Sequence, residues 1–231
     1  YLNLSNFLNP KFIYNLSLVA ENFYLNKEYK KAKKILKKFK DEDIFYFWYK
    51  IKKEAQIIAQ EKSKKESIEY ITSEFKKIKF QNNKMIFDMA NFYKNFEDYE
   101  TAIDYYSKVI DNLNDDSTIK SDLLYRRGGS YERKADYVNS DKDLLKSLEI
   151  NPDDAYVLNY LAYSWLERNY KVETAMQMLI KAYNQRKNDP YIIDSIGWAY
   201  YLEGDYEKAE NFLRKAVQLM PSDPIVNDHY G

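Results

Sequence analysis

The chain has 231 residues, 45% apolar and 17% aromatic, and its 36 basic and 36 acidic residues cancel to a net charge of zero. That balance argues against a protein built mainly to hold nucleic acid, which is ordinarily basic. The absence of cysteine excludes a disulfide framework and a thiolate metal site, and five Gly with five Pro leave little room for tight-turned sheets or long linkers.

In chain order, residues 1–12 read as the tail of a preceding helix pair, with Pro10 in the terminating role. Helical hairpins then follow at about 13–46, 47–82, 83–120, 121–154, 155–189 and 190–223, with a partial one at 224–231. The first carries Val19-Ala20 and Phe23 on one helix and Ala32, Leu36 and Phe39 on the next. The second is degenerate: Ala55 and Ile58 fit its first helix, whereas Ser67 and Ile71 only weakly fit the second. The third has Met89-Ala90, Tyr93, Ala102, Tyr106 and Val109, then a longer connection, Asn114 to Thr118, rich in turn-forming side chains. Gly128, Tyr131, Ala135-Asp136-Tyr137 and Leu144 mark the fourth, and Leu161-Ala162, Trp165, Ala175 and Ala182 the fifth.

The sixth, Asp189 to Pro221, is the clearest copy. Pro190 suits a first-turn position after an Asp189 N-cap, Glu203-Gly204-Asp205 makes the turn, and Pro221 stops the second helix. Gly197, Ala199, Ala209 and Ala216 stand where two helices must approach closely. Ile193, Ile196, Tyr200, Tyr206, Phe212, Leu213 and Leu219 are expected to fill the space around them. Gly231 recurs 34 residues after Gly197. A hairpin this short cannot bury its apolar face alone, so neighbours are required.

The recurrence of Ile196-Gly197, Tyr200, Ala209, Leu213, Ala216 and Pro221 with a period near 34 resembles the tetratricopeptide repeat. The resemblance implies an all-α fold, an α-solenoid of antiparallel helix pairs coiling into a right-handed superhelix, whose first helices line a concave groove. It also implies that the groove is read by first-helix side chains not used in packing. Here these are Asn91, Arg126, Asn159, Tyr160, Tyr163, Asp194, Trp198 and Tyr201, with Phe87, Asp88, Tyr125, Arg133, Tyr156, Tyr191, Asp228 and His229 beside them. Tyr, Trp and Arg are the usual hot spots of interfaces, so the expected ligand is an extended peptide or a partner helix. The alternative role for several of these rings is packing against the adjacent hairpin. The family's carboxylate clamp needs a Lys and an Asn four apart, then an Asn, then a Lys with an Arg on three successive first helices. No such set occurs, and Asp122 stands four before Arg126.

Asp194-Ser195-Ile196-Gly197-Trp198 and Asp228-His229-Tyr230-Gly231 are similar to phrases in repeat proteins of Gram-negative bacteria, many of them envelope proteins and some adaptors for a processing protease. The expected function is a non-enzymatic scaffold or adaptor, with an RNA-binding helical repeat or a self-assembling array as alternatives. Its partners are other proteins, an envelope protease or assembly complex among them, and not nucleic acid. No cofactor and no metal is expected. The paired carboxylates Asp115-Asp116 and Asp153-Asp154 read as caps, and the lone His229 beside Asp228 lacks a nucleophile. No apolar run is long enough to cross a membrane. Tyr1 and the stop at Gly231 suggest an internal piece of a longer protein, with the bacterial periplasm or outer membrane the expected compartment and the cytoplasm the alternative.

Charge is unevenly laid. Between Lys27 and Lys84 stand 18 lysines and nine acidic residues, whereas from Met85 onward 17 basic residues face 26 acidic ones. The lysines read as a solvated outer face or, alternatively, as a patch for an acidic partner or an anionic lipid surface.

Overall fold

The computed structural model describes residues 9, 12–113 and 117–231, and among them it contains thirteen α-helices and no strand. Six hairpins follow one another: α1 (Ile13–Leu25) with α2 (Tyr29–Leu36), α3 (Ile44–Glu61) with α4 (Lys64–Lys77), and α5 (Asn83–Asn95) with α6 (Tyr99–Asp111). Then come α7 (Thr118–Arg133) with α8 (Tyr137–Ile150), α9 (Ala155–Glu167) with α10 (Val172–Gln185), and α11 (Pro190–Glu203) with α12 (Tyr206–Leu219). The last helix, α13 (Pro224–Tyr230), stands in the place of a further first helix. The expected role of Pro10 and the carboxylates Asp115-Asp116 lie outside the described residues. The chain forms two compact units, one up to Asp88 and one from Met89, the boundary falling within α5.

Local chemistry sets the helix ends. Side chains of Asp98, Asp136 and Asp205 accept the backbone N–H three residues on and start α6, α8 and α12. Asp154, Asp189 and Asp223 do the same for α9, α11 and α13, so the Asp153-Asp154 pair is used in part as a cap. Most turns inside a hairpin contain left-handed backbone, at Lys27, Glu97, Ala135, Gly204 and, in the α9–α10 turn, both Asn169 and Lys171, with φ between 46° and 82°. Only Gly204 adopts that conformation without steric cost.

In the second unit, Leu144, Val157, Leu161, Trp165, Met176, Leu179 and Ile196 form one buried cluster that crosses three hairpins. Gly197 is where α11 and α12 come closest: a Cβ there would lie 2.8 Å from Leu213 Cγ and 3.0 Å from the Leu213 backbone nitrogen. Two residues expected in this seam lie outside it. Tyr206 is 66% and Leu219 46% exposed, because they sit at the two ends of α12, beyond the Ala209–Ala216 stretch that α11 covers.

In the first unit, Leu16, Ala20, Ala32, Leu36, Phe39 and Ile57 form the core of α1, α2 and α3. The weak second hairpin is fully formed. Its first helix begins at Ile44, Ser67 and Ile71 are buried completely, and Ile57 rather than Ile58 points inward.

Candidate functional site

The first helices of the second unit carry the predicted contact residues, and the repeat sets equivalent positions of successive helices side by side. Tyr125 of α7 meets Tyr160 of α9 edge-on at 5.7 Å. The Tyr160 hydroxyl donates to Glu132 Oε2 (3.0 Å), and burial, then the Glu132 charge, raises its pKa. Further along, Trp198 donates its indole N–H to Glu167 Oε1 (2.7 Å) and stacks on Tyr201, ring centroids 5.0 Å apart.

The other face of Trp198 is covered by His229, stacked at 4.4 Å with the planes 13° apart. His229 Nδ1 lies 2.8 Å from Asp194 Oδ2, and these two side chains are only 7% and 6% exposed. Its Nε2 is 3.4 Å from the Tyr163 hydroxyl. Burial alone would lower the His229 pKa, but the hydrogen bond and charge of Asp194, with Glu167 and Asp228, outweigh it and raise the pKa. Tyr163 is pushed up to about 12 by burial and then by four carboxylates, those of Glu167, Asp194, Glu132 and Asp228. The region is therefore electronegative and lined with rings.

Of the eight predicted groove residues, the structure gathers Tyr163, Asp194, Trp198 and Tyr201 into this one cluster, with Tyr160 beside it. Two others are engaged by their own hairpins: Asn91 accepts from the Tyr106 hydroxyl (2.6 Å), and Arg126 donates to Asp122 (2.8 Å). Asn159 keeps a buried side-chain oxygen with no partner among the described residues, as do Asp194 through Oδ1 and Ser164 through its hydroxyl. A cavity of about 240 Å³ opens between Tyr160, Tyr163, Ser164, Glu167 and Ile225, and one of about 210 Å³ adjoins it across Tyr160 and Arg133. The Ser195 hydroxyl is bonded to the Tyr191 carbonyl oxygen (2.9 Å), so the Asp194–His229 pair does not continue into a serine triad.

Models of the tetratricopeptide repeat match residues 84–112, 121–154 and 190–223. The chain carries tetratricopeptide repeats there. A TPR repeat-containing protein of Pseudomonas aeruginosa is 37% identical over 109 residues, which are 47% of this chain and 18% of that protein. This chain thus spans less than a fifth of that bacterial relative. Among solved structures, MamA of Desulfovibrio magneticus RS-1 superposes with a TM-score of 0.58 at 17% identity, over 77% of this chain and 97% of that one. The APC/C hetero-tetramer Cut9–Hcn1 gives 0.65 at 14% identity, over 99% and 44%, and YrrB gives 0.51 at 14%, over 99% and 96%. At such identities the likeness is one of fold.

Two contributors to the site were not among the sequence candidates: Glu132 and Glu167. Each lies on the last turn of a first helix, and its role comes from a tyrosine or tryptophan of the next hairpin, 28 or 31 residues away. The Asp228-His229 adjacency was visible, but His229 pairs with Asp194 one repeat earlier.

Proposed function

We propose that the second unit is the binding module of a non-enzymatic scaffold or adaptor, holding an extended peptide or partner helix against α7, α9, α11 and α13. The observation that carries this reading is the half-buried state of its rings: Tyr160 and Tyr163 are partly exposed beside two adjoining cavities, and Trp198, partly exposed, and Tyr201, 46% exposed, line a third of about 460 Å³. Rings held by neighbours on one side and open on the other lose little rotamer entropy on binding. The fold supports protein–protein interaction in general, and YrrB, a neighbour in fold, is described as having an unusual peptide-binding site.

Affinity capture with the chain as bait tests this. Replacing Tyr163, Trp198 and Tyr201 together with Ala is expected to abolish capture of the partner while the helical circular-dichroism signal stays. Unchanged capture would show that another face binds. On the resemblance of residues 194–198 and 228–231 to envelope repeat proteins, we propose the bacterial envelope as the compartment, a reading that cell fractionation would decide.

A further inference from the structure

The site already holds one ring that can carry positive charge, supplied by its own chain. His229 is set between the face of Trp198 (4.4 Å), the Asp194 carboxylate (2.8 Å) and the Tyr163 hydroxyl (3.4 Å). An aromatic face, a carboxylate and a neutral hydroxyl together are how a protein binds a cation. Rings, carboxylates and a hydroxyl also meet at the 240 Å³ cavity that Tyr163 lines. Its walls include Tyr160 and Tyr163, and the carboxylates of Glu132 and Glu167 reach it. Ser164, 6% exposed, lines it with a hydroxyl that has no partner among the described residues.

Charge within the cavity decides what enters. Arg133 and Arg168 also line it, but Arg168 is bound to Asp141 (2.7 Å) and to the Ser164 carbonyl oxygen (3.0 Å). That leaves the largely exposed Arg133, whose Nε lies 3.9 Å from Glu132 Oε2, the oxygen that already accepts from Tyr160, against two glutamates. Each glutamate spends one oxygen on a ring donor, Glu132 on Tyr160 and Glu167 on Trp198, and keeps the other. The volume lies below the roughly 300–1,000 Å³ of small-molecule pockets, a size for one long side chain.

We propose that this cavity is the subsite for a lysine or arginine side chain of the bound peptide. The assignment rests on the peptide-binding reading above and adds to it the charge of the anchor. The ammonium or guanidinium group lies between Glu132 and Glu167, and the aliphatic stem runs along Tyr160 and Tyr163.

A positional-scanning decapeptide library, probed with this chain, tests it. Wild type is expected to select Lys and Arg at one position at least ten-fold over norleucine, and to reject Glu there. The Glu132→Gln, Glu167→Gln double variant still accepts the Tyr160 and Trp198 hydrogen bonds, so it is expected to keep its fold. It should lose the Lys/Arg preference while selection at the other positions persists. Selection of an apolar or acidic residue at every enriched position, or a basic preference unchanged in the double variant, overturns the cation subsite and leaves the peptide-binding face standing. No enrichment at any position overturns both.

Discussion

Hairpins α11–α12 and α3–α4 close their seams by different means. In α11–α12 the helices meet at Gly197, Ala199, Ala209 and Ala216, all at most 3% exposed or glycine, with Gly204 making the turn. In α3–α4 the turn contains no left-handed residue, and the seam is held by polar staples. The Ser67 hydroxyl donates to the Ala55 carbonyl oxygen (2.6 Å), Tyr70 bonds Glu54, and Trp48 packs on Phe75 at 5.6 Å. The inner side differs as well. Trp48 donates to Asp88 (2.9 Å), which also receives Lys52 and Lys84, so that indole is locked inside its own unit. Trp198, the other hairpin's tryptophan, stacks beside the open ring of Tyr201. Both indole N–H groups are bonded to a carboxylate, but Trp48 is 3% exposed, whereas the α11–α12 hairpin keeps Tyr201 46% exposed beside Trp198.

The largest effect expected from this difference is at Gly197. Gly197→Val forces new atoms against the Leu213 side chain and backbone, and should cost about 3 kcal/mol, the upper range for overpacking. Denaturant unfolding would read it as an early loss of the α11–α12 signal. A cost near zero would mean the two helices can separate freely, and the close-packing account fails.

Next is the relative firmness of the two hairpins. Polar staples contribute only about 1 kcal/mol each, so amides of α4 are expected to exchange at least ten-fold faster than those of α12, about 1.4 kcal/mol in opening free energy. Equal protection would show that the staples hold as well as the packing does.

Single staples and turns come below that. Ser67→Ala removes the buried bond to Ala55 and should cost about 1 kcal/mol. Gly204→Ala should cost about as much, ~1 kcal/mol, through backbone strain alone, because a Cβ there meets nothing within 4 Å. Ala135 already carries that strain at φ 57°, so Ala135→Gly is expected to gain stability where Gly204→Ala loses it.

How far the sequence disclosed all this follows from the kind of interaction. Spacing showed the hairpins, the Asp189 cap and the Gly197 contact, because these depend on residue type at fixed positions along one helix or turn. The Ser67–Ala55 and Trp48–Asp88 staples were not legible, since they depend on how far apart two helices settle. Ser67 therefore read as a weak fit although it is completely buried. For the same reason Asn91 was expected to face a partner and instead accepts from Tyr106, and Glu132 and Glu167 went unnoticed. Arg126–Asp122 was visible as a four-residue spacing on one helix.

The smallest effect, and the most discriminating, is the opposite pH response of the two tryptophans. Burial works against the Asp88 carboxylate, but hydrogen bonds from Lys52, Lys84 and Trp48 prevail and hold its pKa below the ordinary 3.8. A lowered carboxylate contributes stability above its unfolded pKa, and that contribution is lost as pH falls through the folded value. His229 is raised above its ordinary 6.5, so the docking of α13 on Asp194 and Trp198 is strongest below that pH and weakens as pH rises through the raised value. The two indole N–H resonances report these events separately, since Trp48 donates to Asp88 and Trp198 stacks on His229. Trp48 is expected to shift only in acid, and Trp198 to titrate above pH 6.5, a step that His229→Gln removes. A Trp198 resonance that stays fixed through that range would mean His229 is not the cation on its face, and the model for the neighbouring lysine or arginine subsite would lose its internal precedent.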